Sequence, residues 1–413
     1  MKYLLLAATC AMGALQAAAF SWKAKPIADE KTALINHLKG ARTVSVPSVP
    51  SPAKFAEKIS MQTGLEWLQE AIDYGNAVLK ATQGRDATDA ARRLGLEVID
   101  YPLHVNNYSD TITPEEMKAF NDMVIGYARG ARDRVLKQVR AARVPSGQLW
   151  IWRIYNMAFL IKGPRHTVAV DLTERPQLVA KPYREILKDF NAEMKKGKTF
   201  KDFDFHVGAP RAWEDKDWEA VADLVDLAVI THPHGDHTSV PFVNAMVKRG
   251  KPMVMPCSKY CMTELSGVTV FDKDNSEPVD VAGVGIRNFR GFQDNVPCNV
   301  YVLDIDGVRV VDNGDNYDRG KEKLLAGVPP ADVIIASTWN NVHHVLSCVQ
   351  QAKGFDAGRA AFIPAHENEL GHSVNHRESY HEMYSLDGRL GKLNFPLKRT
   401  FPLGWGECLK YRK

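Results

Sequence analysis

The stretch that most limits how this chain can fold is Asp226-Leu-Ala-Val-Ile-Thr-His-Pro-His-Gly-Asp-His-Thr-Ser239. Leu227 to Ile230 is a short apolar, β-rich run that reads as a buried strand. Immediately after it, His232, His234, Asp236 and His237 crowd into six positions. Free loops rarely concentrate ionisable side chains this tightly, and such a set calls for a metal ion. Imidazole and carboxylate suit zinc, manganese or iron. Gly235 lets the backbone curl so that alternate residues converge beyond the strand end.

This spacing resembles the His-x-His-x-Asp-His signature of the metallo-β-lactamase fold superfamily. That resemblance implies an α/β (α+β) architecture: a four-layer αβ/βα sandwich carrying metal at one end. Later segments extend it. Val308-Arg-Val-Val-Asp312 reads as a strand running into Asn313-Gly314-Asp315-Asn316, similar to the Gly-Asp-Thr of the branch that contains ascorbate-phosphate lactonase and related phosphodiesterases. Ala360-Ala-Phe-Ile-Pro-Ala-His366 fits the family's last histidine. The resemblance thus covers about residues 148 to 413. It makes His232, His234, Asp236, His237, Asp315 and His366 metal ligands, with Asp236 also the group that orients or deprotonates water. Asp171, closing the strand His166-Thr-Val-Ala-Val-Asp171, becomes a brace for the ligands.

One family ligand has no counterpart. A histidine is expected near 288 to 294, where the chain reads Asn-Phe-Arg-Gly-Phe-Gln-Asp, and no histidine lies between His237 and His343. The set Asp236, His237, Asp315 and His366 is complete, whereas the set containing His232 and His234 lacks a third protein ligand. Asp294, Gln293, His343 or His344 is a candidate stand-in, and the last two are equally candidates for substrate contact or a local structural role. Arg290 would instead bring a positive charge there.

The N-terminus reads as an export signal: Lys2, an apolar run from Tyr3 to Leu15, then Ala17-Ala18-Ala19 as the cleavage site, so that residues 1 to 19 are removed and the protein is periplasmic or secreted. Five cysteines then remain, an odd number for an oxidising compartment. Cys257 and Cys261 are spaced for a bridge or for two buried thiols. Residues 20 to 147 read as a helical region without ligands, containing only His37 and His104. Its clearest helix starts at Thr113 as N-cap with Pro114 and Glu115-Glu116 in the first turn, and shows Met117, Phe120, Val124, Tyr127, Ala131, Val135 and Val139 at helical spacing. A second is expected from Gly64 to Thr82. From Gln148 the pattern changes to strands. Phe200, Phe203, Phe205, Trp213 and Trp218 are candidates for either a cleft wall or core.

With 413 residues and 45% hydrophobic content the chain can bury a large core. A net charge of +4 without a long basic run gives no electrostatic footprint for nucleic acid, and no stable membrane insertion is expected once the signal is removed. No Gly-x-Ser-x-Gly nucleophile elbow is present. The expected chemistry is therefore hydrolysis of an ester, lactone or phosphodiester bond in a small molecule, with water activated by one or two Zn2+ ions (Mn2+ or Fe2+ being the other fits). The contrasting reading is a non-catalytic metal-bound binding protein that kept the fold. The incomplete second ligand set makes both worth carrying forward.

Overall fold

The computed structural model describes residues 27–105, 112–173, 178, 183–196, 210–256, 267–293, 295–338, 341–370, 378–385 and 388–413. The expected leader, Cys257, Cys261, Asp294, His372, His376 and the three phenylalanines between 200 and 205 lie outside the described residues.

The chain begins with helices α1 (Ile27–Gly40), α2 (Pro52–Ser60), α3 (Trp67–Ala81), α4 (Ala90–Leu103) and α5 (Pro114–Ala141). The long helix α5 starts where its sequence signals placed it. Thr113 accepts from the Glu116 N–H and Glu116 reaches back to the Thr113 N–H, which satisfies two amides that the first turn leaves open. Its apolar stripe, Met117 to Val139, is buried, and Trp152 of the adjoining strand donates its indole N–H to Gln138 at 2.8 Å. Tyr127 stacks on Trp405 with ring centroids 4.6 Å apart. Arg92 of α4 pairs with Glu407 at 2.6 Å. The helical region thus packs on the strand-rich part of the chain, as its unpartnered stripes required.

The strands build two mixed sheets. In the first, β1 (Gln148–Tyr155), β2 (Ala158–Lys162) and β3 (Thr167–Val170) form an antiparallel meander. It is followed, after α6 (Tyr183–Lys195) and α7 (Asp215–Ala222), by β4 (Leu227–Val229). Helix α8 (Val240–Lys248), β5 (Met253–Met255) and β6 (Val268–Val270) come next. β3, β4, β5 and β6 are parallel neighbours. In the second sheet, β7 (Asn275–Val281), β8 (Val284–Phe289), β11 (Val300–Ile305) and β12 (Val308–Asp312) are antiparallel neighbours, β9 (Phe292–Gln293) and β10 (Val296–Pro297) forming a small ribbon between β8 and β11. After α9 (Arg319–Glu322), β13 (Val333–Ser337), α10 (Val342–Gln350) and β14 (Ala361–Ala365) continue it in parallel. α11 (Tyr380–Tyr384) follows, and β15 (Cys408–Arg412) returns to pair with β1, at the far edge of the first sheet.

Alternation along the strands defines the layers. Leu149, Ile151, Phe159, Ile161, Val168 and Val170 from the first sheet share one core with Ile286, Leu303, Val310, Val333, Ile335 and Ile363 from the second. Their neighbours Trp152, Ile154, Leu160 and Ala169, and Val302, Val311, Ile334 and Phe362, face the other way into the core that holds the helices. Two sheets face to face with helices outside is the four-layer αβ/βα sandwich that the sequence implied. The β11–β12 hairpin turns through Asp306 and Gly307 with φ of 53° and 83°, the doubly left-handed turn that an Asp-Gly pair favours. Trp213 and Trp218 are buried with ring centroids 4.5 Å apart, and Trp218 lies against Phe242, so both belong to the core and not to a cleft wall.

Candidate metal centre

Four strands end at one place. β3 runs into Asp171, β4 into the loop bearing His232 to His237, β12 into Asp315 and β14 into His366. The carboxyl ends of strands are where open α/β sheets gather ligands, since loops can vary there while the strands hold their roots fixed.

Asp236, His237, Asp315 and His366 each offer a ligand atom, and all four atoms lie within 4.8 Å of one another. Asp315 Oδ2 is 3.4 Å from His237 Nε2 and 3.1 Å from His366 Nε2, while Asp236 Oδ2 is 3.4 Å from His366 Nε2 and 3.7 Å from His237 Nε2. Donors arranged tetrahedrally about an ion at bonds of ~2.1 Å stand about 3.4 Å apart, so the observed spacings are those of a ligand set for one divalent cation. His237, Asp315 and His366 are buried, and the Asp236 side chain is 13% exposed. Two carboxylates and two imidazoles fit zinc, manganese or iron on ligand type.

The electrostatics follow from this crowding. Burial alone would lower the His237 pKa, but the carboxylates of Asp315, Asp236 and Asp171 hold it well above the usual imidazole range. His366 behaves alike: burial opposes the charge, yet Asp315 and Asp236 bring it up to about 10. Burial would raise Asp315, and the His366 and His237 rings bring it well below the ordinary carboxylate range. The carboxylates thus set a negative potential in this buried volume, which favours a cation there.

Asp171 lies directly behind this set. Its Oδ2 accepts from His237 Nδ1 at 2.7 Å and from Thr231 Oγ1 at 2.5 Å, and its Oδ1 accepts from the Thr231 N–H at 2.7 Å. The first contact leaves His237 Nε2 to face the ligand set, and the other two anchor the loop that carries the motif. Left-handed backbone recurs at these strand ends, with φ of 44° at Asp171, 49° at Gly314 and 80° at His366. Gly314 is required on two counts: its φ disfavours a side chain, and a Cβ there would stand 2.5 Å from Thr231 Oγ1. Asp171→Asn turns one acceptor oxygen into a donor facing donors, so a 10–100-fold loss of zinc affinity is expected, read by competition with a chromogenic chelator.

The second set is arranged differently. His232 is buried, its Nδ1 lies 3.1 Å from Thr231 Oγ1 and its Nε2 lies 3.0 Å from His234 Nδ1. Burial first, then the neighbouring His237 and His234, lowers the His232 pKa well below its usual value. The residue that joins this pair is Gln293, whose amide donates to Asp315 Oδ2 at 3.2 Å and whose side chain also hydrogen-bonds His234. Gln293 therefore occupies the ground where the resemblance expects a histidine.

Of the other candidate stand-ins, His343 and His344 lie elsewhere. His343 is exposed on α10, and His344 Nε2 lies 3.0 Å from the Arg319 carbonyl and 3.5 Å from Glu322, so neither joins the ligand set. Arg290 bonds the Asp272 carbonyl and lies over Phe292, bringing no charge to the site. His104 Nε2 meets Asn368 Oδ1 at 2.9 Å. Sequence reasoning overlooked Asp312. It is buried, and its Oδ1 accepts the Gly314 N–H at 2.8 Å, shaping the turn that presents Asp315. Burial, with Asp171 close by, raises its pKa well above the carboxylate range. Its position as the last residue of a strand running into Asn-Gly-Asp was the available signal.

No family model matches the chain. No curated protein sequence matches it either. Solved structures similar to it include proteins described as metal-dependent hydrolases or as having the metallo-β-lactamase fold, and also CmlA, a diiron β-hydroxylase from Streptomyces venezuelae. Igni18, a metallo hydrolase from the archaeon Ignicoccus hospitalis, is 13% identical with a TM-score of 0.41, over 64% of this chain and 99% of that one. An isothiocyanate hydrolase from Delia radicum gut bacteria is 12% identical with a TM-score of 0.42, over 64% and 99%. The metallo-β-lactamase fold protein YhfI from Bacillus subtilis is 10% identical with a TM-score of 0.34, over 64% and 100%. This chain itself shows a four-layer αβ/βα sandwich with four His and Asp donors gathered at the carboxyl ends of its strands, spaced to hold one divalent cation.

Proposed function

We propose that the chain is a metal-dependent hydrolase of the metallo-β-lactamase superfamily, close in chemistry to the lactonase and phosphodiesterase branch. Its substrate class is a small molecule with an ester, lactone or phosphodiester bond. The observation that carries this reading is the four-donor set Asp236, His237, Asp315 and His366, gathered at the spacing of a single ion. Zn2+ fits best, since two imidazoles and two carboxylates at tetrahedral spacing match its preference, with Mn2+ or Fe2+ as the other candidates.

A divalent ion held there supplies Lewis acidity and brings the pKa of water from 15.7 toward about 7. The protein's own residues do the rest. Asp236 is the most solvent-accessible of the four donors, so its carboxylate meets incoming water, Oδ2 facing the ligand set and the other oxygen taking up the proton. Asp171 keeps the His237 ring from rotating out of the set. His232, with a pKa lowered by burial and by its neighbours, is neutral; Thr231 Oγ1 spends its proton on Asp171, so His232 donates from Nδ1 to Thr231 and turns Nε2 as an acceptor to His234, which fixes that ring at the edge of the ligand set. Among the described residues no helix is long and apolar enough to cross a membrane. Export by the N-terminal segment, and small molecules in place of nucleic acid as partners, belong to the same proposal.

Gln293 favours one tightly bound ion at this centre over two, because a neutral amide is a weaker ligand than imidazole. Gln293→His should add one zinc equivalent per chain over wild type in equilibrium dialysis, as it completes the set with His232 and His234. An unchanged count would mean that the centre already holds two ions. The enzyme reading is tested by turnover of a generic phosphodiester and a generic lactone. If the zinc-loaded protein is no faster than Asp315→Ala on either, the binding-protein reading replaces it.

A further inference from the structure

Away from this centre, His37 of α1, Glu97 of α4 and His381 of α11 each direct a ligand atom to one small volume, all three atoms within 4.8 Å of one another. His37 Nε2 lies 3.1 Å from Glu97 Oε2, and His381 Nδ1 lies 4.0 Å from Glu97 Oε1. The two rings stand edge to face with centroids 5.9 Å apart. The Glu97 side chain is 11% exposed, so one largely buried carboxylate turns both its oxygens to imidazole nitrogens. In a simple ion pair the His37 ring would aim its N–H along the line to Oε2. Here Nε2 is shielded from solvent and lacks hydrogen-bond alignment to that oxygen. Two rings converge on one carboxylate, with His37 Nε2 out of line with it and His381 Nδ1 beyond hydrogen-bond distance, which leaves the three donor atoms grouped around a shared volume.

Two of the three helices, α4 and α11, are already joined at this point. Asp100, one turn along α4 from Glu97, accepts the N–H groups of Tyr380 at 2.8 Å and His381 at 2.7 Å, and the Asn368 side-chain amide at 2.9 Å. The start of α11 is therefore pinned to α4, and His381 is placed without help from a ligand. We propose that His37, Glu97 and His381 form a second divalent transition-metal site of the two-histidine, one-carboxylate type. It is structural in role. Three protein donors leave coordination positions for water on the open side, where the His381 side chain is 58% exposed. Imidazole and carboxylate together select zinc-class ions over calcium or magnesium. An ion there ties the helical region to the segment following His366, through Asp100, Asn368 and α11. It also revises the expectation that the helical region bears no ligand.

The test uses the full chain, stripped with chelator and dialysed against Zn2+ alone. Zinc per chain is counted for wild type, His381→Ala, His37→Gln and Asp315→Ala, and thermal unfolding is followed with and without zinc in the Asp315→Ala background. The expected result is that His381→Ala or His37→Gln loses one equivalent while Asp315→Ala loses a different one, so the losses add in the double variant. In the Asp315→Ala protein zinc should still raise the unfolding temperature, and adding His381→Ala should remove that rise. Equal zinc counts in wild type, His381→Ala and His37→Gln would overturn the proposal. So would a zinc-dependent rise that survives in Asp315→Ala/His381→Ala. Neither outcome bears on whether the main centre is catalytic.

Discussion

Asp315→Ala is expected to remove one bound ion per chain and turnover together. Asp315 Oδ2 is the oxygen nearest to both His237 Nε2 and His366 Nε2, and it also accepts from Gln293, so three side chains are arranged around it. Truncation leaves two imidazoles and the more exposed Asp236. Loss of the ion's stabilisation of developing charge is worth several kcal/mol, about a thousandfold in kcat for ~4 kcal/mol. His232→Ala provides the contrast. Its ring belongs to the incomplete set beside His234 and Gln293, so the metal count should hold while kcat falls because His234 loses the ring that positions it. Elemental analysis and single-turnover rates on the two variants check this. A His232→Ala protein as metal-poor as Asp315→Ala would show that the ion is not held by Asp236, His237, Asp315 and His366.

Arg153→Ala should be the most destabilising single change in the support of the centre. Arg153 is fully buried; its Nη2 pairs with buried Glu367 Oε2 at 2.7 Å, its Nη1 donates to the Leu403 carbonyl at 2.8 Å and its Nε to the Asn156 carbonyl at 2.9 Å. Glu367 also accepts from the Tyr384 hydroxyl, and Tyr155 donates to Glu369 at 2.9 Å. These contacts clamp the turn that begins at His366. Removing the guanidinium leaves a carboxylate buried without its countercharge, which costs about 3–5 kcal/mol. Chemical denaturation should read that loss, and the variant should also hold zinc more weakly because His366 loses its footing. Arg153→Met combined with Glu367→Gln should regain much of the stability, since replacing both members of a buried pair is far less costly than removing one. A single variant as stable as wild type would show that the pair does not hold this turn.

The ligand motif was legible because its chemistry is local. A short apolar run followed by three histidines and an aspartate in six positions leaves little room for a role other than metal binding, and a metal set must be close in sequence or rooted on rigid strands. Asp315 and His366 could be found for the same reason, each following a β-rich run. Helix α5 was legible from Thr113, Pro114 and Glu116, whose capping pattern acts within four residues. Other elements carried weaker signals. β15 is a short strand at the chain's end, and only pairing with β1 makes it part of a sheet. β7 is largely exposed, so its residues show no buried alternation to read.

What the tertiary structure alone decided is which distant side chains share a volume. Nothing local distinguishes Gln293 from His343 or His344 as the neighbour of His234. The β9–β10 ribbon carries Gln293 to Asp315, while α10 carries His343 and His344 away. In the same way Arg153 and Glu367 are 214 residues apart, and His37 meets His381 only because α1, α4 and α11 pack together. Coordination chemistry acts over a few ångströms and leaves a mark in sequence only where the backbone itself is that short. Where the ligands are contributed by separate elements, the packing of the two cores sets their meeting, and that depends on every layer of the sandwich at once.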